Sequence, residues 1–129
     1  MPDIIRVAIV GAGRTGGPLL EALLELPYVR VVGVADRNLE SPGALLARER
    51  GIFCVQYADV LVAKSDEIDL IVDVSGDPTI KPMLRDVFMA QGNRRTVIVT
   101  DLVARLILSI ATGSPELAET NHPADQGIG

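Results

Sequence analysis

The sequence predicts an α/β fold, in which helices cover both faces of a doubly wound parallel sheet to give three layers. Apolar, β-branched runs of strand length alternate with longer segments whose apolar residues recur at helical spacing. This alternation is typical of a parallel sheet buried on both faces. The first apolar run leads directly into a turn with the pattern Gly11-x-Gly13-x-x-Gly16. With 129 residues, of which 48% are hydrophobic, the chain is long enough for one domain with a buried core.

The strands are predicted from short runs rich in valine and isoleucine. In chain order they cover residues 4–10, 29–35, 52–55, 68–74 and 96–100.

The helices between and after the strands are bounded by residues that start or stop helices. The first stops before Pro27, and the second has Ser41 as its N-cap, Pro42 at its first position and Gly51 after its end. In chain order the predicted helices extend from the glycine-rich turn to residue 26 and over residues 42–50, 58–63, 79–90 and 102–111. We therefore expect one domain at residues 1–111, with residues 112–129, rich in Gly and Pro, as a disordered tail or linker.

The glycine-rich turn has the form that binds the pyrophosphate of a dinucleotide. Gly11 allows the tight turn from strand to helix, Gly13 lets the backbone approach a phosphate, and Gly16 lets the helix pack closely on the strand. The positive end of the helix dipole attracts phosphates. The candidate binding residues in the turn are Gly11, Ala12, Gly13, Arg14, Thr15 and Gly16. Arg14 either reaches the pyrophosphate or faces water.

Asp36 follows the second strand, 20 residues after Gly16. Its carboxylate can accept a hydrogen bond from an adenosine ribose and repels a 2′-phosphate, which favours NAD over NADP. The plainer interpretation is a solvated turn residue. Arg37 could stack on adenine or bind a phosphate, so NADP stays possible.

Strand, glycine turn, helix and acidic residue together predict a Rossmann-type dinucleotide site. Two alternatives stay open: glycines kept for packing alone, and a site for another nucleotide such as coenzyme A.

A second polar turn, at residues 75–78, follows the fourth strand. Because the carboxyl ends of parallel strands meet at one sheet edge, we expect Ser75 and Gly76 to border the nicotinamide-side ribose. Asp77 and Asp101 are each open to another interpretation, as caps of the helices beside them.

Composition excludes several other classes of protein. The net charge of −5 is spread along the chain and argues against nucleic-acid binding, and no apolar stretch is long enough to span a membrane. Cys54 is interpreted as a small buried hydrophobe and His122 as inert, and no metal-binding pattern is present. With one cysteine and no signal peptide pattern, a cytoplasmic setting is expected.

The segments VAIVGAGRTG, VVGVADRN, LARERGI and IDLIVDVSGDPTI resemble the N-terminal NAD(P)-binding domain of two groups of oxidoreductases. One is the glucose-fructose oxidoreductase and inositol dehydrogenase type, and the other contains homoserine dehydrogenases and dihydrodipicolinate-type reductases. The likeness covers residues 4–100. It implies that Gly11, Gly13 and Gly16 hold the pyrophosphate, Asp36 the ribose, and Ser75 and Gly76 the nicotinamide side.

The chain departs from the sugar dehydrogenases after the fifth strand. Their Glu-Lys-Pro motif supplies a catalytic lysine, whereas this chain continues as Thr100-Asp101-Leu102-Val103, and their substrate domain has no counterpart. A weaker resemblance links the chain to stand-alone Rossmann modules at the front of bacterial signalling kinases. We therefore expect a binding module with a regulatory or sensor role. The alternatives are the cofactor domain of an oxidoreductase and a coenzyme A module, and a catalytic residue is unknown.

The last predicted helix, residues 102–111, is apolar on nearly every side. A sheet covers only one side of a helix, so a second copy in a homodimer or an additional domain is expected to cover the rest.

Overall fold

The computed structural model describes residues 3–119, apart from the side chains of residues 64 and 65. Within that range, five parallel strands form a single sheet in the order β3-β2-β1-β4-β5. The strands are β1 (Ile5–Val10), β2 (Val29–Ala35), β3 (Cys54–Val55), β4 (Leu70–Asp73) and β5 (Val97–Val99). The helices are α1 (Gly16–Leu24), α2 (Pro42–Glu49), α3 (Ala58–Leu61), α4 (Ile80–Ala90) and α5 (Asp101–Ala111). The predicted three-layer, doubly wound α/β sheet is confirmed.

The core lies on both faces of β1, the central strand, because its side chains alternate between two helical layers. Val7 and Ile9 pack with α1 and with parts of α2 and α5, whereas Ala8 and Val10 pack with α3 and α4. All four residues are buried. Because both faces are covered, residues 7–10 of this strand form a continuous apolar run instead of an alternating one.

Every predicted strand and helix except β2 differs from the observed one by one or two residues at one or both ends. The fourth strand, for example, is predicted at residues 68–74 and observed at Leu70–Asp73. The third strand is shorter than predicted because β3 lies at the sheet edge and pairs only with Val34 and Ala35 at the end of β2. The helix at 58 ends as an α-helix at Leu61 and continues as a tighter 3-10 helix over Val62–Glu67. The last helix begins at Asp101, one residue earlier than predicted.

An ion pair joins the amino ends of β1 and β4. The guanidinium of Arg6 contacts both carboxylate oxygens of Asp69, at 3.2 Å and 3.1 Å, and the Arg6 amide donates to the same carboxylate at 2.8 Å. The hydrogen bonds from Arg6 lower the pKa of Asp69. This connection holds the two central strands together at the sheet edge opposite the carboxyl ends of the strands.

Helix α5 presents an apolar face to solvent. Leu102, Val103 and Leu106 are about half exposed and Ile110 is 71% exposed, while Ala104 is buried. Residues 112–119 fold back on the helix, because Ala118 donates to the Ser109 hydroxyl at 2.7 Å and accepts from the Arg105 guanidinium at 2.7 Å. Helix α5 ends at Ala111, and the division into a domain at residues 1–111 and a tail or linker at residues 112–129 stays a prediction. Residues 120–129 of the predicted tail, with His122, lie outside the described range.

No helix among residues 3–119 has the length and apolar character that crossing a membrane requires.

Candidate functional site

A cleft of about 1120 Å³ lies at the carboxyl edge of the sheet. The strand order reverses between β1 and β4, and ligands of open α/β sheets bind at such a switch point. The predicted site residues that line this cleft are Gly11, Gly13, Arg14, Thr15, Asp36, Arg37, Ser75 and Gly76. The structure therefore brings together residues from three separate loops of the chain.

The other two predicted site residues, Ala12 and Gly16, are buried and do not line the cleft. The Ala12 amide donates to Asp36 Oδ2 at 2.9 Å, and the Ala12 carbonyl accepts from the Gly43 amide at 2.9 Å. The peptide groups of Ala12 thus connect the glycine-rich turn to the end of β2 and the start of α2. Ala12 therefore stabilises the glycine-rich turn from its buried side and does not face the cleft.

The three glycines of the turn have different surroundings. Gly11 has φ +90°, a conformation that side chains disfavour, and a Cβ there would lie 2.7 Å from Ser75 Cα. A Cβ at Gly16 would overlap the Gly11 carbonyl oxygen and lie 2.8 Å from its carbon. Gly13 is the opposite case, because a Cβ there meets nothing within 4 Å. Packing therefore explains Gly11 and Gly16, whereas the fold alone does not require a glycine at position 13.

The Asp36 carboxylate is held by three donors. Its Oδ2 accepts from the Ala12 amide and from the Ser41 hydroxyl, both at 2.9 Å, and its Oδ1 accepts from the Asn38 amide at 2.9 Å. Ser41 is also the predicted N-cap of α2, which the structure confirms through its contact with the Ala44 amide. The carboxylate is thus fixed at the cleft wall by backbone and side-chain donors together.

The turn after β4 is organised by its own side chains. Asp73 is fully buried and accepts from the Ser75 amide at 3.1 Å and the Ser75 hydroxyl at 2.7 Å. Asp77 accepts from the amide and the hydroxyl of Thr79, and these bonds lower its pKa. The assigned N-cap of α4 is Thr79, which makes no side-chain capping bond, whereas Asp77, two residues earlier, accepts from the Thr79 amide as a capping residue does.

An ion pair spans the cleft between its two outer loops. Arg37 follows β2 and Asp77 follows β4, and the guanidinium lies 3.2 Å from the Asp77 carboxylate. The arginine side chain is 76% exposed, so the contact sits at the mouth of the cleft in water. A pair of this kind is weak, because solvent screens both charges.

Sequence reasoning missed one wall of the cleft. Tyr57, Ile80 and Met83 line it beside Arg37, and they come from the segment after β3 and from α4. Tyr57 is exposed, and Gln56 next to it donates to the Arg37 carbonyl at 3.1 Å. The local signal in the sequence was a tyrosine shortly after the third predicted strand, and the approach of α4 to this loop depends on the tertiary fold.

Other chemically interesting residues lie away from the cleft. Asp101 is fully buried at the start of α5 with Arg105 at 4.0 Å, so it supports the helix instead of facing the cleft. Cys54 is partly buried on β3, and burial raises the pKa of its thiol. Among residues 3–119 there is no group of three or more His, Cys, Asp or Glu side chains placed to hold a metal ion.

No model of a known protein family matches the sequence. A curated relative is acetaldehyde dehydrogenase 2 of Salinispora arenicola strain CNS-205, which is 40% identical over 75 residues. That stretch is 57% of this chain and 25% of the relative, so the chain spans only about a quarter of the relative's length.

Several solved structures share the fold. GenD2 from gentamicin A biosynthesis, solved in complex with NAD, matches 86% of this chain with 26% identity and a TM-score of 0.58. A myo-inositol dehydrogenase of Corynebacterium glutamicum matches 85% with 26% identity and a TM-score of 0.56. A homoserine dehydrogenase of S. aureus, at 17% identity and a TM-score of 0.57, is similar in fold alone.

The matches cover 32%, 33% and 30% of those three proteins, so the chain corresponds to about one third of each. The fold is therefore the Rossmann-type fold that both groups of oxidoreductases contain, as the sequence resemblance implied.

Proposed function

We propose that this chain is a dinucleotide-binding module that prefers NAD. The observation that carries the proposal is the cleft itself, in which Gly13 leaves open space for a ligand beside the anchored carboxylate of Asp36. A methyl group at position 13 would enter that space without touching the protein. A phosphate group can approach the backbone closely where no side chain fills the space, and Gly13 provides such a position. The NAD complex of GenD2, which is similar in fold and sequence, supports the same assignment.

Three parts of the cleft would each contact a different part of the dinucleotide. The pyrophosphate would lie at the N-terminus of α1, where Gly13, Arg14 and Thr15 line the cleft and the helix dipole is positive. Asp36 would accept a hydrogen bond from the adenosine ribose. Ser75 and Gly76 would border the nicotinamide side, since they follow β4 across the switch point.

The preference for NAD over NADP rests on Asp36 and Arg37. A carboxylate fixed at the ribose repels a 2′-phosphate, and the Asp77 carboxylate beside the Arg37 guanidinium offsets a small part of the attraction of Arg37 for that phosphate. For the same reason we expect coenzyme A to bind more weakly than NAD, because it carries a phosphate on the 3′ position of its ribose.

The biological role that we propose is regulatory, with bound dinucleotide as the signal and no catalysis by this chain alone. Within the described residues, the lysine motif of the sugar dehydrogenases has no counterpart after β5, where Thr100 and Asp101 begin α5. A cytoplasmic setting, where NAD and NADH are abundant, fits this role. The alternative is the cofactor domain of an NAD(P)-dependent oxidoreductase, which the fold shared with one third of several dehydrogenases favours. Hydride chemistry would then belong to the bound nicotinamide, while the chain would orient it.

Calorimetric titration of NAD, NADH, NADP and coenzyme A into the purified chain tests the binding proposal. We expect NAD or NADH to bind more tightly than the other two, and Asp36→Asn to weaken NAD binding. Absence of binding by all four would contradict it. Steady oxidation of NADH with hydroxy-acid, sugar or semialdehyde partners by this chain alone would contradict the regulatory role.

We further propose that the exposed face of α5 packs against a second copy of the chain. Its side chains Leu106 and Ile110 lie one turn apart on an apolar stripe, and stripes of this kind mark interfaces. A two-fold symmetric contact would cover the stripe of both copies at once. Light scattering after gel filtration is expected to give a dimer for the wild type and a monomer for the double variant Leu106→Glu, Ile110→Glu. A wild-type monomer would contradict the dimer and leave an additional domain as the partner.

A further inference from the structure

The hydroxyl of Ser41 links the cleft to the second helix. Ser41 is 7% exposed and precedes α2. Its Oγ donates to Asp36 Oδ2 at 2.9 Å and accepts from the Ala44 amide at 3.4 Å. One buried group therefore caps a helix and binds the carboxylate that faces the cleft.

Ser41 differs from the other donors to this carboxylate. The Ala12 and Asn38 donors are backbone amides, so their positions follow from the path of the chain. Ser41 supplies a side-chain donor to the same oxygen as Ala12, and the two bonds together restrict rotation of the carboxylate. A hydrogen bond to a charged, partly buried group is stronger than one between neutral groups.

The start of α2 is itself held against the glycine-rich turn. The Gly43 amide donates to the Ala12 carbonyl at 2.9 Å, and a Cβ on Gly43 would lie 2.6 Å from Ala12 Cβ. The Ser41 hydroxyl therefore has a fixed position, and it cannot follow the carboxylate if the carboxylate turns away. A donor can hold the Asp36 carboxylate in one orientation because the donor is itself held in place by a rigid helix.

We propose that Ser41 is a positioning residue that sets the choice between dinucleotides with and without a 2′-phosphate. The inference rests on the proposed function, since it assumes that Asp36 faces the ribose. Exclusion of the 2′-phosphate depends on a carboxylate that cannot turn aside, because a mobile one would rotate away and relieve the repulsion. Specificity of this kind comes from a repulsive contact that the protein keeps in place.

The test compares three variants. Ser41→Gly removes the donor and keeps helix capping nearly intact, because glycine is itself a good N-cap residue. Ser41→Thr keeps both the hydroxyl and the cap. Leu45→Gly loosens the same helix at an exposed position that does not touch Asp36. For each protein, NADH and NADPH affinities are measured by titration and the exchange of the Ala12 amide by NMR.

We expect Ser41→Gly to lower the ratio of the NADPH Kd to the NADH Kd by about five-fold, mainly through tighter NADPH binding. This change is smaller than the full effect of one hydrogen bond to a charge, because the Ala12 and Asn38 amides still hold the carboxylate. The Ala12 amide should exchange faster in the same variant, because its acceptor is less restrained. Ser41→Thr and Leu45→Gly should keep the wild-type ratio. A purely structural role would weaken both affinities equally.

An unchanged ratio in Ser41→Gly, or an equal shift in Leu45→Gly, would overturn this inference alone. Failure of the wild type to bind either dinucleotide would overturn the proposed function and this inference with it.

Discussion

Replacing Gly13 and Gly16 separately by alanine distinguishes a glycine required by a ligand from one required by the fold. At Gly13 the added Cβ meets no atom within 4 Å, and the backbone is not in the left-handed region. Alanine also reduces the freedom of the unfolded chain, so Gly13→Ala is expected to stabilise the protein by ~0.4–1 kcal/mol. The affinity for NADH, in contrast, should decrease.

The loss of binding can be sized from the space that the methyl group takes. It would occupy the part of the cleft in which we propose that the pyrophosphate lies, and would push the phosphates away from the start of α1. Losing one hydrogen bond to a charged group costs ~1.5–3 kcal/mol, so the NADH Kd should rise by about 10- to 100-fold.

At Gly16 the expected result is reversed. The added Cβ would overlap the Gly11 carbonyl oxygen and come within 3.1 Å of Val74 Cγ2. The backbone has to move to make room, so Gly16→Ala should lower the free energy of unfolding by at least the ~1–3 kcal/mol of ordinary overpacking. A typical protein has a free energy of unfolding of ~5–15 kcal/mol, so this is a large loss.

Two measurements on each variant check this pair of expectations. Urea unfolding followed by circular dichroism gives the free energy of unfolding, and NADH fluorescence gives the affinity. The chain has no tryptophan, so protein emission does not interfere with the cofactor signal. Wild-type affinity in Gly13→Ala would refute the placement of the pyrophosphate at this turn, even if Gly16→Ala unfolds as expected.

Three further variants examine the supports of the cleft and of the sheet. Gly43→Ala should lower the free energy of unfolding by ~1–3 kcal/mol and weaken NADH binding, because its Cβ would collide with Ala12; unchanged unfolding in urea would contradict this. Asp69→Asn should be less stable than the wild type at neutral pH. Because the native pKa of Asp69 is lowered, this difference in the free energy of unfolding should shrink as the pH falls below about 4. If urea unfolding gives a difference that is constant with pH, the ion pair is not its source. Asp77→Asn should release Arg37 and tighten NADPH binding about two- to five-fold with little effect on NADH, and equal changes in both titrations would argue against that role.

The sequence was sufficient to predict the order of elements and most of the cleft. The long apolar runs and the start and stop signals, such as Ser41 with Pro42 and Gly51, are local, and local signals locate elements without knowledge of the fold. Strand β3 was overestimated because it lies at the sheet edge with β2 as its one neighbour, and only Cys54 and Val55 pair with that neighbour.

The contacts between loops could not be predicted in the same way. The bond from Ala12 to Asp36 and the pair of Arg37 with Asp77 join segments that are separated in sequence and meet only through the order of the strands. Tyr57 was missed for the same reason, since its place at the cleft follows from the packing of the segment after β3 beside α4. Periodicity reports which side of an element is buried and carries no information on which loops meet.

The double anchoring of Ala12 has a kinetic consequence. Its amide is bound to Asp36 and its carbonyl to Gly43, so both polar groups of this residue hold the glycine-rich turn in place, and we expect the turn to keep its shape when NADH binds. A protein whose competent state is fully populated loses no apparent affinity to a preceding conformational step. Stopped-flow association of NADH should therefore be a single exponential whose rate increases linearly with NADH concentration, without the plateau that a slow loop closure imposes. The rate should also follow the viscosity of the solvent, as expected for diffusion into a preformed cleft.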